Sequence, residues 1–243
     1  VRERGVTDVA RVGTEHGVRE DMLDVRLEQG GDPNERAAAL RTAPVVAATT
    51  ATCGSRVMRE QSFDVALVDE ASQLTEPGTL AAIARADRFV LVGDHEQLPP
   101  VVQAGGAPTD SESAGDDSPG SDLGTSLFER LIDTYPEASV LLDRQYRMAQ
   151  RIQAFSSREF YDGALRPADG SVAARRLSGL GVDESALPEP LRDRVAFVDP
   201  DGERVGNTNP IEAGRVAAVV DSYLDAGVDP DDIGVIAPFR AQV

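Results

Sequence analysis

Apolar positions along this chain come in short blocks separated by polar stretches of two kinds. Val9-Ala-Arg-Val12, Val45-Val-Ala-Ala48, Val65-Ala-Leu-Val68 and Phe89-Val-Leu-Val92 are bounded by polar or turn residues. Continuous runs of this length are the pattern of strands buried on both faces of a parallel sheet. Between them, Pro33 to Arg41 and the Ala-rich stretch from Leu80 to Ala84 read as helices. Alternation of this kind predicts an α/β fold.

Further along, Ser126-Leu-Phe-Glu129 is a capping box leading into Leu131-Ile132, and Val140-Leu-Leu142 reads as a strand. Met148, Ile152 and Phe155 recur at helical spacing, which predicts a helix from Arg147 to Tyr161 with one core-facing stripe. Asn209-Pro210-Ile-Glu212 supplies an N-cap, a proline at the first helical position and a box partner. The helix it opens carries Val216, Val219, Val220 and Tyr223 and stops at Gly227. A last strand, Ile233 to Ala237, ends at Pro238. The Arg- and Pro-punctuated stretch from Ser171 to Arg194 carries no assignable role, and no solenoid-like repeat is present.

One segment breaks the pattern. Apart from Pro108 and Pro119, residues 105–122 contain no apolar side chain larger than alanine, and they carry five acids, Asp110, Glu112, Asp116, Asp117 and Asp122. Such a segment cannot bury enough surface to order itself and is expected to be a flexible linker. It divides the chain into a first domain, 1–104, and a second, 123–243.

Charge changes the picture of possible partners. The 243 residues carry 42 acids against 24 basic residues, for a net charge of −18, and contain no lysine, so every basic residue is Arg. A carboxylate-rich, lysine-free surface fits a protein working in concentrated salt, so a halophilic source is expected. Acidity on this scale ordinarily argues against nucleic acid. At about 1 M salt, however, the Debye length falls to about 3 Å, and only contacts inside a groove count. No apolar stretch approaches the roughly 18 residues of a membrane-spanning helix, and no signal-peptide pattern opens the chain, so the expected location is cytoplasmic. Cys53 is the only cysteine; it excludes a disulfide framework or a cysteine-rich cluster built from this chain and reads as a buried spectator thiol.

The candidate chemistry lies at the ends of two apolar runs. Val65 to Val68 leads into Asp69-Glu70-Ala-Ser-Gln73, and Phe89 to Val92 leads into Gly93-Asp94-His-Glu-Gln97-Leu-Pro-Pro100. Ligands of parallel sheets sit beyond the carboxyl ends of the strands, where both clusters fall. Asp69 is placed to hold Mg²⁺ through its water shell, and Glu70 to act as general base on an attacking water. Gln97 is a neutral amide able to donate to a phosphate oxygen and accept from water at once, as a γ-phosphate sensor must. His95 has no His or Cys nearby to share a metal and reads as a spacer or packing residue, and His16 as exposed.

With Ser126-Leu-Phe-Glu-Arg-Leu131, Gln145-Tyr-Arg-Met148, Phe160-Tyr-Asp-Gly163 and Ile233-Gly-Val-Ile-Ala-Pro238, these signatures in this order resemble the superfamily 1 helicases. The nearest branch is that of the nonsense-mediated-decay RNA helicase and the replication helicase-nuclease, with spacing nearer the latter. The resemblance implies two RecA-like domains of the P-loop NTPase type, each truncated here. It assigns Asp69 to magnesium, Glu70 to water activation and Gln97 to the γ-phosphate, and places Gln73 and Asp94 at the nucleotide. Tyr146 matches the aromatic that stacks on adenine, and Arg147 an arginine finger; by local pattern alone the two would open a helix. Thr49 and Thr50 are either turn residues or the family's single-strand contacts. Arg240 is a further candidate contact to nucleotide or strand.

The family's phosphate-binding loop needs a lysine, which this chain does not contain. The expectation is the middle of a longer 5′-to-3′ DNA helicase that uses ATP and Mg²⁺, acts on single-stranded nucleic acid with DNA favoured over RNA, and needs the missing flanking parts of the same protein. By itself the chain is expected not to turn over ATP. The competing readings are an RNA helicase of the same branch, a non-catalytic module binding single strand or a partner, and an acidic α/β protein whose carboxylates serve only solubility.

Overall fold

The computed structural model describes residues 8–14, 18, 20–27, 32–100, 125–200 and 206–242. The expected linker and His16 lie outside the described residues. The chain divides into two compact units, Val1–Val140 and Leu141–Val243.

In the first unit, strands β1 (Val9–Val12) and β2 (Val45–Ala48) pair in parallel, Val9 opposite Val45. The intervening helix α1 (Pro33–Thr42) starts at Asp32, whose carboxylate accepts the Asn34 N–H at 2.9 Å. Proline at the first turn and an Ala-rich body make this a favourable helix start. Short helices α2 (Thr50–Cys53) and α3 (Arg56–Arg59) follow. Ala10, Val12, Leu40 and Met58 are buried together, with Cys53 packed against them. Burial pushes the Cys53 thiol above its ordinary pKa, consistent with an inert packing residue.

Strand β3 (Phe63–Val68) then pairs in parallel with β4 (Ala86–Leu91), Leu67 opposite Val90, through helix α4 (Glu76–Ile83). Helix α5 (Leu127–Thr134) begins at Ser126, whose hydroxyl accepts the Glu129 N–H at 3.1 Å. Val68, Ala71, Ile83 and Leu127 form the core here. That contact docks α5 on the first unit. The physical reason is Leu127, whose burial requires the β3 and α4 side chains, together with the Arg130 guanidinium, which grips both oxygens of the Glu76 carboxylate.

The expectation of burial on both faces holds for β1, where Val9, Ala10 and Val12 are all buried, but not for β3 and β4 among the described residues. Val65, Leu67 and Val90 lie at least about half exposed, while Ala66, Val68 and Leu91 face the helices. One helical layer covers one face.

The second unit is built on helices and turns. Strands β5 (Arg144–Gln145) and β6 (Arg166–Pro167) form a two-residue parallel pair. Helix α6 (Gln150–Phe160) buries its polar side: Gln153 and Ser157 both donate to the Leu165 carbonyl. The expected apolar stripe therefore faces outward. Ile152 and Phe155 are exposed, and Phe155 stands edge-on to Phe160. The expected strands Val140–Leu142 and 233–237 form no strand and have no ladder partners among the described residues, with Ile236 96% exposed. A strand without a partner leaves its backbone groups to water and is not stable.

The stretch without an assignable role supplies the core of this unit. It folds as the short helix α7 (Gly170–Ala173), 3₁₀ turns, and helix α8 (Glu189–Arg192). Val182, Leu187 and Leu191 pack against Ala226 and Val228, which follow helix α9 (Pro210–Asp225), and Leu187 is 1% exposed. Asn209 caps α9 by accepting the Ile211 and Glu212 N–H groups. Gly227, at φ 93°, turns the chain after it. No helix among the described residues is long and apolar enough to cross a membrane.

Candidate active site

Because β3 and β4 run in parallel, their carboxyl ends lie side by side, and both polar signatures begin there. The ladder continues past the strands: Val92 N–H donates to Val68 O at 2.8 Å, and Ala71 N–H to Val92 O at 2.8 Å. One step later the Asp94 N–H donates to the buried Ser72 hydroxyl at 3.1 Å, so a side chain takes the place of a ladder carbonyl. Gly93 sits between the loops where no side chain fits. A Cβ there would lie 2.8 Å from Ser72 N, 3.1 Å from Ser72 Oγ and 3.3 Å from Ala71 N.

Each loop carries an acid that receives an amide three residues on. Gln73 Nε2 donates to Glu70 Oε2 at 2.9 Å, and Gln97 Nε2 donates to Asp94 Oδ2 at 2.9 Å. Glu70 itself is left-handed, at φ 54° and ψ 38°. For a non-glycine residue this costs about 1–2 kcal/mol, and such residues cluster where geometry serves function. Asp69 is exposed at the end of β3 and accepts the Glu70 N–H at 3.1 Å.

The first unit thus brings together Asp69, Glu70, Gln73, Asp94 and Gln97. His95 packs on Phe128 of α5, ring centroids 6.4 Å apart, as a packing residue would. The described residues contain no group of three or more potential metal ligands. Asp69 still fits Mg²⁺, because that ion keeps its waters and takes one or two carboxylates beside substrate phosphates. Thr49 caps α2, its hydroxyl accepting the Thr52 N–H at 3.3 Å, and Thr50 opens the same short helix.

In the second unit, Tyr146 and Arg147 stand on a turn ahead of α6 rather than inside the helix. Gln145 holds that turn. Its Oε1 accepts the Arg147 and Met148 N–H groups at 2.9 and 2.7 Å, and its Nε2 donates to Met148 O at 2.8 Å. Arg175 adds a bond to Arg147 O at 2.9 Å. Tyr146 is 68% exposed, and among the described residues the Arg147 guanidinium has no hydrogen-bond or ion-pair partner. Arg240 lies in an exposed 3₁₀ turn, which Gln242 ties to Asn209. Ser72, Gly93, Gln145 and Arg175 are the residues sequence reasoning leaves without roles. The first three lie inside the quoted signatures, but Arg175 has no local signal.

Comparison with known families adds a separate line. Two AAA domain models match the chain, over residues 8–104 and 123–243. The chain is 36% identical over 211 residues to the DNA replication ATP-dependent helicase/nuclease JHS1 of Arabidopsis thaliana, covering 82% of this chain and 15% of that protein. It is 36% identical over 222 residues to the DNA replication ATP-dependent helicase/nuclease DNA2 of Xenopus laevis, covering 82% and 20%. It is 35% identical over 215 residues to an uncharacterized ATP-dependent helicase of Methanocaldococcus jannaschii, covering 84% and 30%. The matched region thus spans between 15% and 30% of the length of these relatives. Ordered signatures, adjacent strand-end loops and these matches together make the chain a member of the superfamily 1 helicases, in the branch that holds the replication helicase-nucleases.

Proposed function

We propose that this chain is the central part of an ATP-dependent DNA helicase that moves 5′ to 3′ along single strand, its two RecA-like domains coupling ATP hydrolysis to stepping. The observation that carries the reading is the juxtaposition of Asp69, Glu70 and Gln97 on two loops joined at the ends of parallel strands.

In this reading Glu70 takes the proton of the attacking water, and its left-handed backbone and the Gln73 amide fix where its carboxylate points. Gln97 exchanges its bond to Asp94 for one to a γ-phosphate oxygen. Asp69 would hold Mg²⁺, which supplies charge neutralisation at the β- and γ-oxygens. Arg147, presented by the Gln145 turn and with no guanidinium partner among the described residues, adds positive charge to the transition state, and Tyr146 stacks on adenine. Thr49, Thr50 and Arg240 contact the single strand. The phosphate-binding lysine comes from a part of the protein outside this lysine-free sequence. The protein works in the cytoplasm at high salt, where its net charge of −18 is screened.

The test is ATP hydrolysis by the full-length gene product in molar salt, with and without DNA or RNA oligomers. Stimulation by single-stranded DNA exceeding that by RNA is expected. Stronger stimulation by RNA moves the substrate to RNA, and single-strand binding without any hydrolysis replaces the motor by a binding module.

A further inference from the structure

We propose that Ser72 is a positioning residue that couples the loop carrying Gln97 to the loop carrying Glu70, so that engagement of one resets the other. The inference rests on the functional reading above and goes beyond its assigned residues. Ser72 is 5% exposed, and its hydroxyl accepts the Asp94 N–H at 3.1 Å. Asp94 is the residue that holds the Gln97 amide, and Ser72 lies two residues beyond Glu70, inside the turn that Gln73 closes onto the Glu70 carboxylate. The path from sensor to base therefore runs from the Gln97 amide to Asp94, from the Asp94 N–H to the Ser72 hydroxyl, and two residues back along the chain to Glu70. Gly93 makes the path stiff: its Cα packs so near the Ser72 backbone that a methyl group cannot enter. A loop held this way cannot shift without moving its neighbour, because close-packed contacts transmit displacement.

Without the hydroxyl the link between Ser72 and the Asp94 N–H is lost, and beyond the main-chain bond from Ala71 N–H to Val92 O the loop carrying Gln97 is held less tightly to the loop carrying Glu70. A displacement of about 1 Å at a reacting group costs about 10²-fold in rate. Nucleotide affinity, which is distributed over other contacts, should change little.

The experiment compares Ser72→Ala, Ser72→Thr and Gly93→Ala in the full-length protein, measuring kcat, KM for ATP, the stimulation by single-stranded DNA, and thermal unfolding. Ser72→Ala should lower kcat by about 10- to 100-fold with KM within about threefold, and flatten the DNA stimulation. Ser72→Thr, which keeps the acceptor, should restore kcat to within about threefold, and Gly93→Ala should reproduce the loss by forcing the loops apart. A purely structural role would instead lower the unfolding temperature and raise KM along with the loss of rate, and would overturn the proposal. So would a folded Ser72→Ala protein with wild-type kcat and DNA stimulation. Should Ser72→Ala fail to fold, Ser72→Thr decides: a folded threonine variant that has lost the rate contradicts the coupling. Absence of ATP hydrolysis in the wild-type protein sinks the helicase reading itself, a different outcome from a wild-type motor indifferent to Ser72.

Discussion

The loops after β3 and β4 and the turn Gln145–Met148 both present polar side chains at fixed positions, but they are held by different means. The loops extend a parallel ladder and interlock through main-chain bonds and the buried Ser72 hydroxyl. The turn stands ahead of a helix and is held by one side-chain amide, that of Gln145, with help from Arg175. The first arrangement is stiff and keeps its amides on its own acids; the second leaves Tyr146 and Arg147 open to solvent. On the proposed roles, a base and a sensor need fixed placement, whereas an arginine that engages only in the transition state needs reach. The difference teaches that polar side chains at the end of a parallel sheet are fixed by main-chain bonds, whereas those on a turn held by one amide are left exposed.

That contrast can be broken at several points. Replacing Arg147 by Ala in the full-length protein should lower ATP turnover by about 10³- to 10⁵-fold while leaving nucleotide binding in place. A near-normal steady-state rate removes the finger from the mechanism. Glu70→Gln should reduce single-turnover hydrolysis by about 10²- to 10⁴-fold, and a mutant that still cycles assigns the base elsewhere. Leu187→Ala, in the core of the second unit, should destabilise by about 2–5 kcal/mol, read as faster amide exchange across α8 and α9. Protection as in wild type there would mean that this cluster does not hold the unit. Smallest is the loss of the α9 cap: Asn209→Ala should cost about 1 kcal/mol in a denaturant titration, and no change would deny the capping bonds their role.

The sequence pattern made the first unit legible and much of the second opaque, for physical reasons visible in single residues. Val65 to Val68 and Phe89 to Val92 announced strands because ladder partners lie close in sequence, one helix apart. The capping residues Asp32, Ser126 and Asn209 each declared a helix start, since a cap bond spans two or three residues. Val140–Leu142 and the run 233–237 have strand composition, yet pairing is a property of two segments and neither finds a partner among the described residues. On α6 the helical periodicity holds but the buried side is the polar one, where Gln153 and Ser157 donate to Leu165 O, while Ile152 and Phe155 are exposed. The stretch holding Leu187 looked like a loop because Pro and Arg interrupt its apolar residues, and its burial depends on Ala226 and Val228 far along the chain. At the candidate site, Asp69, Glu70 and Gln97 stood out by type and position, while Ser72 and Gly93 act through contact across the loops, which no single segment displays.

The central claim is that the two interlocked loops embrace the terminal phosphate of one nucleotide. Its most direct measurement is photolabelling of the full-length protein with an ATP analogue bearing an azidoanilide on the γ-phosphate, followed by mapping of the labelled peptides. The account expects label in the segments containing Asp69–Gln73 and Asp94–Gln97, removed from both together by excess ATP. Label confined to other segments, or in these loops but indifferent to ATP, would contradict it.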